Sequence, residues 1–191
     1  MSSFYTEEEL KGLGLASYGE NVLISRNCQI YGAKNISIGN NVRIDDFCIL
    51  SGKITLGSNI HISAAVLIFA GDAGVSFDDF SGISSRSAIY AATDDYSGKY
   101  MTNPTVPEEF RGVTEAHVHV GRHSLIGTGC TVLPGVTVGD GARVGAMSLV
   151  NKSLEPNTLN IGIPCKKFKD LETGYLELEK QYVKKMGKYE K

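Results

Sequence analysis

The side chains able to do chemistry are few and unevenly spread. Three of the four histidines stand as His117-x-His119-x3-His123, a spacing with the look of a metal site, and the fourth, His61, follows Ile60. The four cysteines, Cys28, Cys48, Cys130 and Cys165, include no Cys-x-x-Cys pair, which argues against a zinc knuckle or a tight disulfide framework. An acidic pair, Asp94-Asp95, opens a polar stretch that runs through Asn103-Pro104 to Pro107, and Asp72 lies between glycines in Phe69-Ala-Gly-Asp-Ala-Gly74. Ser84, among Ser81, Ser85 and Ser87, can hydrogen-bond a ligand or a corner amide. Lys166 and Lys169 offer point charges to a phosphate, or form a solvated basic tail.

The elements that position these groups are set by a repeat. Aliphatic residues recur every sixth position as Ile38, Ile44, Leu50, Leu56, Ile62, Ile68, then Phe77, Ile83, Ile89, and again from Val120 through Ile126, Val132, Val138 and Val144 to Val150. Ile24, Ile30 and Ile36 form an earlier set offset by two. A period of six suits neither a helix nor a hairpin meander; it fits short strands joined by tight corners, where glycine and asparagine relieve backbone strain. Residues two apart on a strand share a face, so Cys28, Cys48 and Cys130, two before an aliphatic, point inward as small buried hydrophobes. The 191 residues allow one domain with a short appendage. With 19 basic against 21 acidic residues there is no basic excess for nucleic acid, and no apolar run of membrane-spanning length occurs. Met1 to Glu9 has neither a basic region nor an apolar stretch, so no signal peptide is expected and the chain reads as a soluble, cytoplasmic protein.

The stretch from Ile126-Gly-Thr-Gly-Cys-Thr-Val through Val150, followed by Gly162-Ile-Pro-Cys165, resembles the C-terminal signature of the hexapeptide-repeat acyltransferases, and the resemblance covers about residues 20 to 169. It implies an all-β solenoid, a left-handed parallel β-helix with three strands per coil, and so an exception to right-handed crossover. Its expected segments are 1–20, N-terminal and helical with Thr6 as cap; 21–169, the β-helix with a long loop at 90–117; and 170–191, an amphipathic C-terminal helix presenting Leu171, Tyr175, Leu178, Tyr182 and Met186. Long loops in compact folds are usually functional.

The resemblance also implies site roles. Sugar O-acetyltransferases of the family carry Thr-Gly-His where this chain has Thr93-Asp94-Asp95, so the basic histidine is replaced by a carboxylate. A sugar hydroxyl needs a base, whereas an amine needs only to be oriented. Phe4-Tyr-Thr-Glu-Glu-Glu-Leu10, Arg43 to Ser51 and Thr93 to Gly98 resemble the N-acyltransferases of dTDP-4-amino-4,6-dideoxyglucose. The implied reaction is acetyl transfer from acetyl-CoA to the amine of a nucleotide-linked amino sugar for surface polysaccharide or O-antigen synthesis. The implied catalytic residues are Asp94, Asp95 and His61; the acceptor-binding ones are Asp72 and Ser84. Coenzyme A contacts fall on Thr128, Ala146, Asn151, Lys166 and Lys169. No metal is expected, because family members that bind zinc take histidines from separate coils. A homotrimer is expected, with active sites between neighbouring chains. The alternative is a sugar or glycan O-acetyltransferase with His61 as base.

Overall fold

The structure, a computed structural model, describes residues 3–186; the ends of the expected terminal segments, residues 1–2 and 187–191, lie outside the described residues. The six-residue period becomes a three-sided parallel solenoid. On the first face, strands Leu23–Ile24, Val42–Ile44, Ile60–Ile62, Gly82–Ile83, Leu125–Ile126, Arg143–Val144 and Thr158–Gly162 stack in that order. Their register places Ile24, Ile44, Ile62, Ile83, Ile126 and Val144 directly over one another. On the second face Ile30, Leu50, Ile68, Ile89, Val132 and Val150 do the same. On the third, Ile38, Leu56, Phe77, Val120 and Val138 are aligned. With three exceptions, Ile30, Val144 and Ile38, these side chains are at most 2% exposed. Each aliphatic is covered above and below by its equivalent about 4.8 Å away, so the coils share one continuous core.

The second inward position of each coil is filled as its spacing predicts. Cys28, Cys48 and Cys130 are buried and free, and Cys165 is half-buried. Burial pushes the Cys28 thiol up to about 12 and raises the other three, so none is a ready nucleophile. Where the coil places serine inward, the hydroxyl finds a backbone carbonyl: Ser87 donates to Gly127 (2.8 Å) and Ser124 to Gly139 (2.7 Å).

Two long strands, Ile49–Leu56 and Leu67–Phe77, bend from the second face to the third. The bend needs glycine. Gly52 has φ +94°, and a Cβ there would lie 2.6 Å from the backbone of Gly71 in the next coil. After Ala91 the chain leaves the solenoid through an antiparallel stem, Ala92–Thr93 against Thr114–Glu115, and residues 96–105 are exposed.

Helix α1, Glu7–Gly12, closes the N-terminal end with a complete capping box between Thr6 and Glu9. Helix α2, Tyr175–Met186, lies along the corner between the third and first faces, and its packing differs from the apolar stripe read in the sequence. Leu178 and Met186 are 65% and 57% exposed, while Tyr175, Glu179 and Tyr182 make the contacts. Tyr175 donates to Asn157 (2.6 Å), Glu179 binds Arg122 and accepts from His123 (2.6 Å), and Tyr182 donates to Asn59 (3.0 Å). The corner explains the change. Its column, Asn41, Asn59, Phe80, His123 and Asn157, has positive φ and presents polar and aromatic groups. One helical turn of 5.4 Å nearly matches one coil of 4.8 Å, so successive turns meet successive rungs.

Candidate active site

The corner between the first and second faces carries two of the five expected coenzyme contacts, Thr128 and Ala146. Ser84 follows Ile83 and stacks with Gly127 and Gly145, while Thr128 and Ala146, one position further along their coils, form the adjoining column with Ser85. The coils approach closely here: a Cβ on Gly127 would lie 2.6 Å from the carbonyl of Val144 and 2.8 Å from the amide of Ala146. Thr128 Oγ1 donates to the Ser85 carbonyl (2.6 Å). Below the column, the hairpin of Thr158–Gly162 and Cys165–Asp170 sets Lys166 opposite Ile161 and Lys169 opposite Leu159. Lys167 between them is held by Glu155 (3.0 Å) and Asp170 (2.8 Å); Lys166 and Lys169 are exposed and make no ion pair among the described residues. Asn151 stands apart, past Leu149–Val150 at the far edge of the second face.

Ser84 and Ser85 differ from Ser81 and Ser87. Ser81 donates to the Asp78 carbonyl (2.5 Å) and Ser87 to that of Gly127, but the half-buried Ser84 hydroxyl has no partner among the described residues. Its amide is satisfied by the Ile126 carbonyl (2.8 Å).

His61 lies on the outer first face beside this column. Its Nε2 is 2.7 Å from Asp45 Oδ2, and Asp45 also accepts from Arg43 Nε (2.7 Å). Burial pushes the Asp45 carboxyl up, but the hydrogen bonds from Arg43 and His61 outweigh it and hold the group below the usual carboxylate range. Asp45 was missed in the sequence. It lies sixteen residues before His61, close to the eighteen of one coil, and that arithmetic is the signal that would have found it. A groove of about 580 Å³ runs along this face past His61 and Arg143, but Ser84 and Asp94 do not line it.

The carboxylates occupy the other edge of the second face. Asp72 is exposed in the turn after Ala70, beside the loop stem: a Cβ on Gly71 would lie 3.5 Å from the Glu115 carboxylate and 3.9 Å from Ala92. Asp94 leaves the stem with Oδ2 accepting from the Asn103 amide (3.2 Å); its Oδ1 has no hydrogen bond among the described residues. Asp95 is spent on the loop itself. Its oxygens accept from the Ser97 hydroxyl (2.7 Å) and from the amides of Gly98 (2.9 Å) and Lys99 (3.2 Å). The Ser97 hydroxyl, with the amides of Ser97, Gly98 and Tyr100, holds its carboxyl below the usual range. The structure therefore separates the acidic pair into a turn-former, Asp95, and a carboxylate with a free oxygen, Asp94.

Within one chain the two groups do not meet. Strand Ala88–Tyr90 lies between the Ser84 corner and the loop stem, and its length with flanking residues spans about 13 Å at ~3.3 Å per residue. The histidine triplet does not converge either. His117 and His119 share Ser76 on the third face, whereas His123 stacks on Phe80 and reaches Glu179. Among the described residues no three potential ligands could hold a metal ion.

Comparison with known proteins now gives this geometry a context. Residues 117–152 match the bacterial transferase hexapeptide family (six repeats). The chain is 44% identical over 180 residues to an Escherichia coli dTDP-4-amino-4,6-dideoxy-D-glucose acyltransferase, covering 93% of each. The chain belongs to the hexapeptide-repeat acyltransferase family. Its solenoid is the left-handed β-helix of that family. It superposes on AntD, an N-acyltransferase from Bacillus cereus, with TM-score 0.95 at 46% identity, covering 97% of this chain and all of the other. That structure is an S84C variant in complex with dTDP-4-amino-4,6-dideoxyglucose and coenzyme A. AntD is also known as a D94A variant with dTDP and coenzyme A, matched at TM-score 0.96, 46% identity and the same coverage.

Proposed function

We propose that this protein transfers an acetyl group from acetyl-CoA to the amine of a dTDP-linked 4-amino-4,6-dideoxyglucose. The carrying observation is the Asp94 carboxylate: it has a free oxygen at the loop stem, in the Thr93-Asp94-Asp95 segment where sugar O-acetyltransferases of the family carry Thr-Gly-His, the histidine position itself falling on Asp95. The AntD variants at positions 94 and 84 support the choice of residues, since this chain has an aspartate and a serine at the same numbers.

In this reading coenzyme A lies along the Thr128–Ala146 corner with its phosphates toward Lys166 and Lys169. Asp94 accepts a hydrogen bond from the sugar amine and Asp72 helps to hold the sugar. The amine nitrogen attacks the thioester carbonyl, with the Ser84 hydroxyl beside the reacting groups. The new C–N bond forms as the C–S bond breaks, and the amine proton passes to the departing thiolate. No strong base is required, because the nucleophile is already an amine in part of the population. His61 acts as the base only in the O-acetyltransferase reading.

The site is completed by a neighbouring copy in a homotrimer. The reading rests on the distance between the Ser84 corner and Asp94 within one chain, and on uncovered apolar surface. Tyr96 is 92% exposed, and Tyr100, Met101 and Phe110 in the same loop are more than half exposed. Closed threefold packing covers such surfaces without forming filaments. No helix among the described residues is long and apolar enough to cross a membrane. A cytoplasmic location follows from the use of acyl-CoA, and surface-polysaccharide synthesis from the nucleotide sugar.

The test is turnover of dTDP-4-amino-4,6-dideoxyglucose with acetyl-CoA and 3-hydroxybutyryl-CoA, beside a neutral hexose. Amide formation only with the amino sugar supports the proposal; hydroxyl acetylation alone ends it. Sedimentation at micromolar concentration is expected to give the mass of three chains. Replacing both lysines, Lys166→Ala with Lys169→Ala, is expected to weaken coenzyme A about tenfold while leaving dephospho-coenzyme A within twofold, as a solvent-screened contact to one phosphate predicts. Calorimetry with the two ligands checks this, and equal weakening would move the phosphate elsewhere.

A further inference from the structure

The coil that carries Asp72 has three residues more than its predecessor. Along the paired long strands the offset grows from eighteen (Ser51 to Phe69) to twenty-one (Ile54 to Val75), and the extra length forms the turn from Gly71 to Gly74. Gly71 and Gly74 have φ of +52° and +88°. Within this bulge the ladder retains one pair, Gly52 with Gly71, so the turn needs another anchor. The anchor is His117, whose Nδ1 is 3.1 Å from the Ala73 carbonyl. Gly74 leaves room for it: a Cβ there would lie 3.3 Å from that nitrogen.

The partners determine where the protons sit. A carbonyl oxygen only accepts, so His117 Nδ1 carries the hydrogen. Its Nε2 then accepts from the Ser76 hydroxyl at 2.8 Å, and the same hydroxyl lies 3.0 Å from His119 Nδ1. The Asp78 carboxylate stands 3.2 Å from the far nitrogen of His119. The chain of contacts holds one tautomer and one ring orientation at His117. His117 also stands two residues past the end of the stem strand Thr114–Glu115, whose partner Ala92–Thr93 leads into Asp94. One imidazole thus ties the turn bearing Asp72 to the base of the loop bearing Asp94.

We propose that His117, oriented by Ser76, is a positioning residue that sets the spacing of the Asp72 turn and the Asp94 loop for the acceptor. This rests on the acceptor roles given to those two carboxylates above. His117→Ala is expected to raise the acceptor KM about tenfold, leave the acyl-CoA KM and kcat within twofold, and speed amide hydrogen exchange in residues 71–75. His117→Asn, whose amide nitrogen can occupy the Nδ1 position, is expected to restore most of both effects. His117→Gln, which places its amide near Nε2, is expected to restore neither, and Ser76→Ala to show a smaller change in the same direction. A parallel rise in both KM values, unchanged exchange in 71–75, or equal behaviour of the Asn and Gln variants would overturn the proposal. Exchange is measured without substrate. It therefore judges the tie even if the wild-type protein acylates no dTDP-linked amino sugar, a result that would count against the function alone.

Discussion

Asp94→Asn is expected to lower kcat/KM for the amino sugar by about 10- to 100-fold, with acetyl-CoA binding unchanged. The substitution keeps the shape and one carbonyl oxygen but removes the charge that favours the amine. A hydrogen bond to a charged group contributes on the order of 1.5–3 kcal/mol, and each 1.4 kcal/mol is tenfold in rate or affinity. Asparagine preserves the acceptor for the Asn103 amide, so the loop base is retained and the loss reports on the ligand. Both acceptor affinity and turnover are expected to fall, because the contact exists in the ground state and strengthens as the amine gains positive charge during attack. Asp95→Asn is a useful contrast: Asp95 serves the Ser97 turn, so its effect is expected in loop order more than in kcat. His61→Asn is expected to cost about tenfold at most, since its Asp45 partner holds it at the first face. If hydroxyl transfer were the reaction, losing the base would cost roughly 10²- to 10⁴-fold. The decisive contrary result is robust acetylation of a neutral hexose that is abolished by changing His61 and survives Asp94→Asn.

The solenoid was legible because its inward residues repeat at a fixed short period, and the hydrophobic effect acts on that pattern in every coil. The loop was legible as a loss of the pattern. Single-residue roles were less so. Asp94 and Asp95 are adjacent and chemically alike, and only the hydrogen bonds from Ser97, Gly98 and Lys99 separate them. Ser84 is one of four serines in seven residues, and only the hydrogen bonds of Ser81 and Ser87 to backbone carbonyls set those two apart from it, which composition cannot show. The contacts of α2 were hidden for a different reason. Its apolar stripe predicts burial of Leu178, but the corner it meets is built of asparagine, arginine and histidine, so Glu179 docks instead. Hydrogen bonds from Arg122 and His123 outweigh burial and hold the Glu179 carboxyl below the usual range. The pairing of Ser76 with two histidines forty-one and forty-three residues away depends on the loop insertion, whose length obscures the coil arithmetic.

Ile62→Ala is expected to destabilise the protein by about 4 kcal/mol, near the upper part of the ~2–5 kcal/mol range for such deletions. Ile62 is fully buried in the middle of the first-face column, with Ile44 and Ile83 in register on either side. The cost is high because the void cannot close. The neighbouring side chains are fixed at the coil spacing by backbone ladders above and below, and moving one coil inward would break those bonds. A defect in a central coil also weakens both interfaces on which a solenoid depends. Ile30→Ala gives the comparison. Ile30 sits in the second-face column at the N-terminal end, where Leu50 covers one side only and the residue is half-buried. It is expected to cost less than half as much, about 1–2 kcal/mol, because less area is removed from water and the end coil can relax. Chemical denaturation of the two variants at equal protein concentration checks the difference. Equal losses, or a larger one at Ile30, would mean that stability is not carried by the stacked columns.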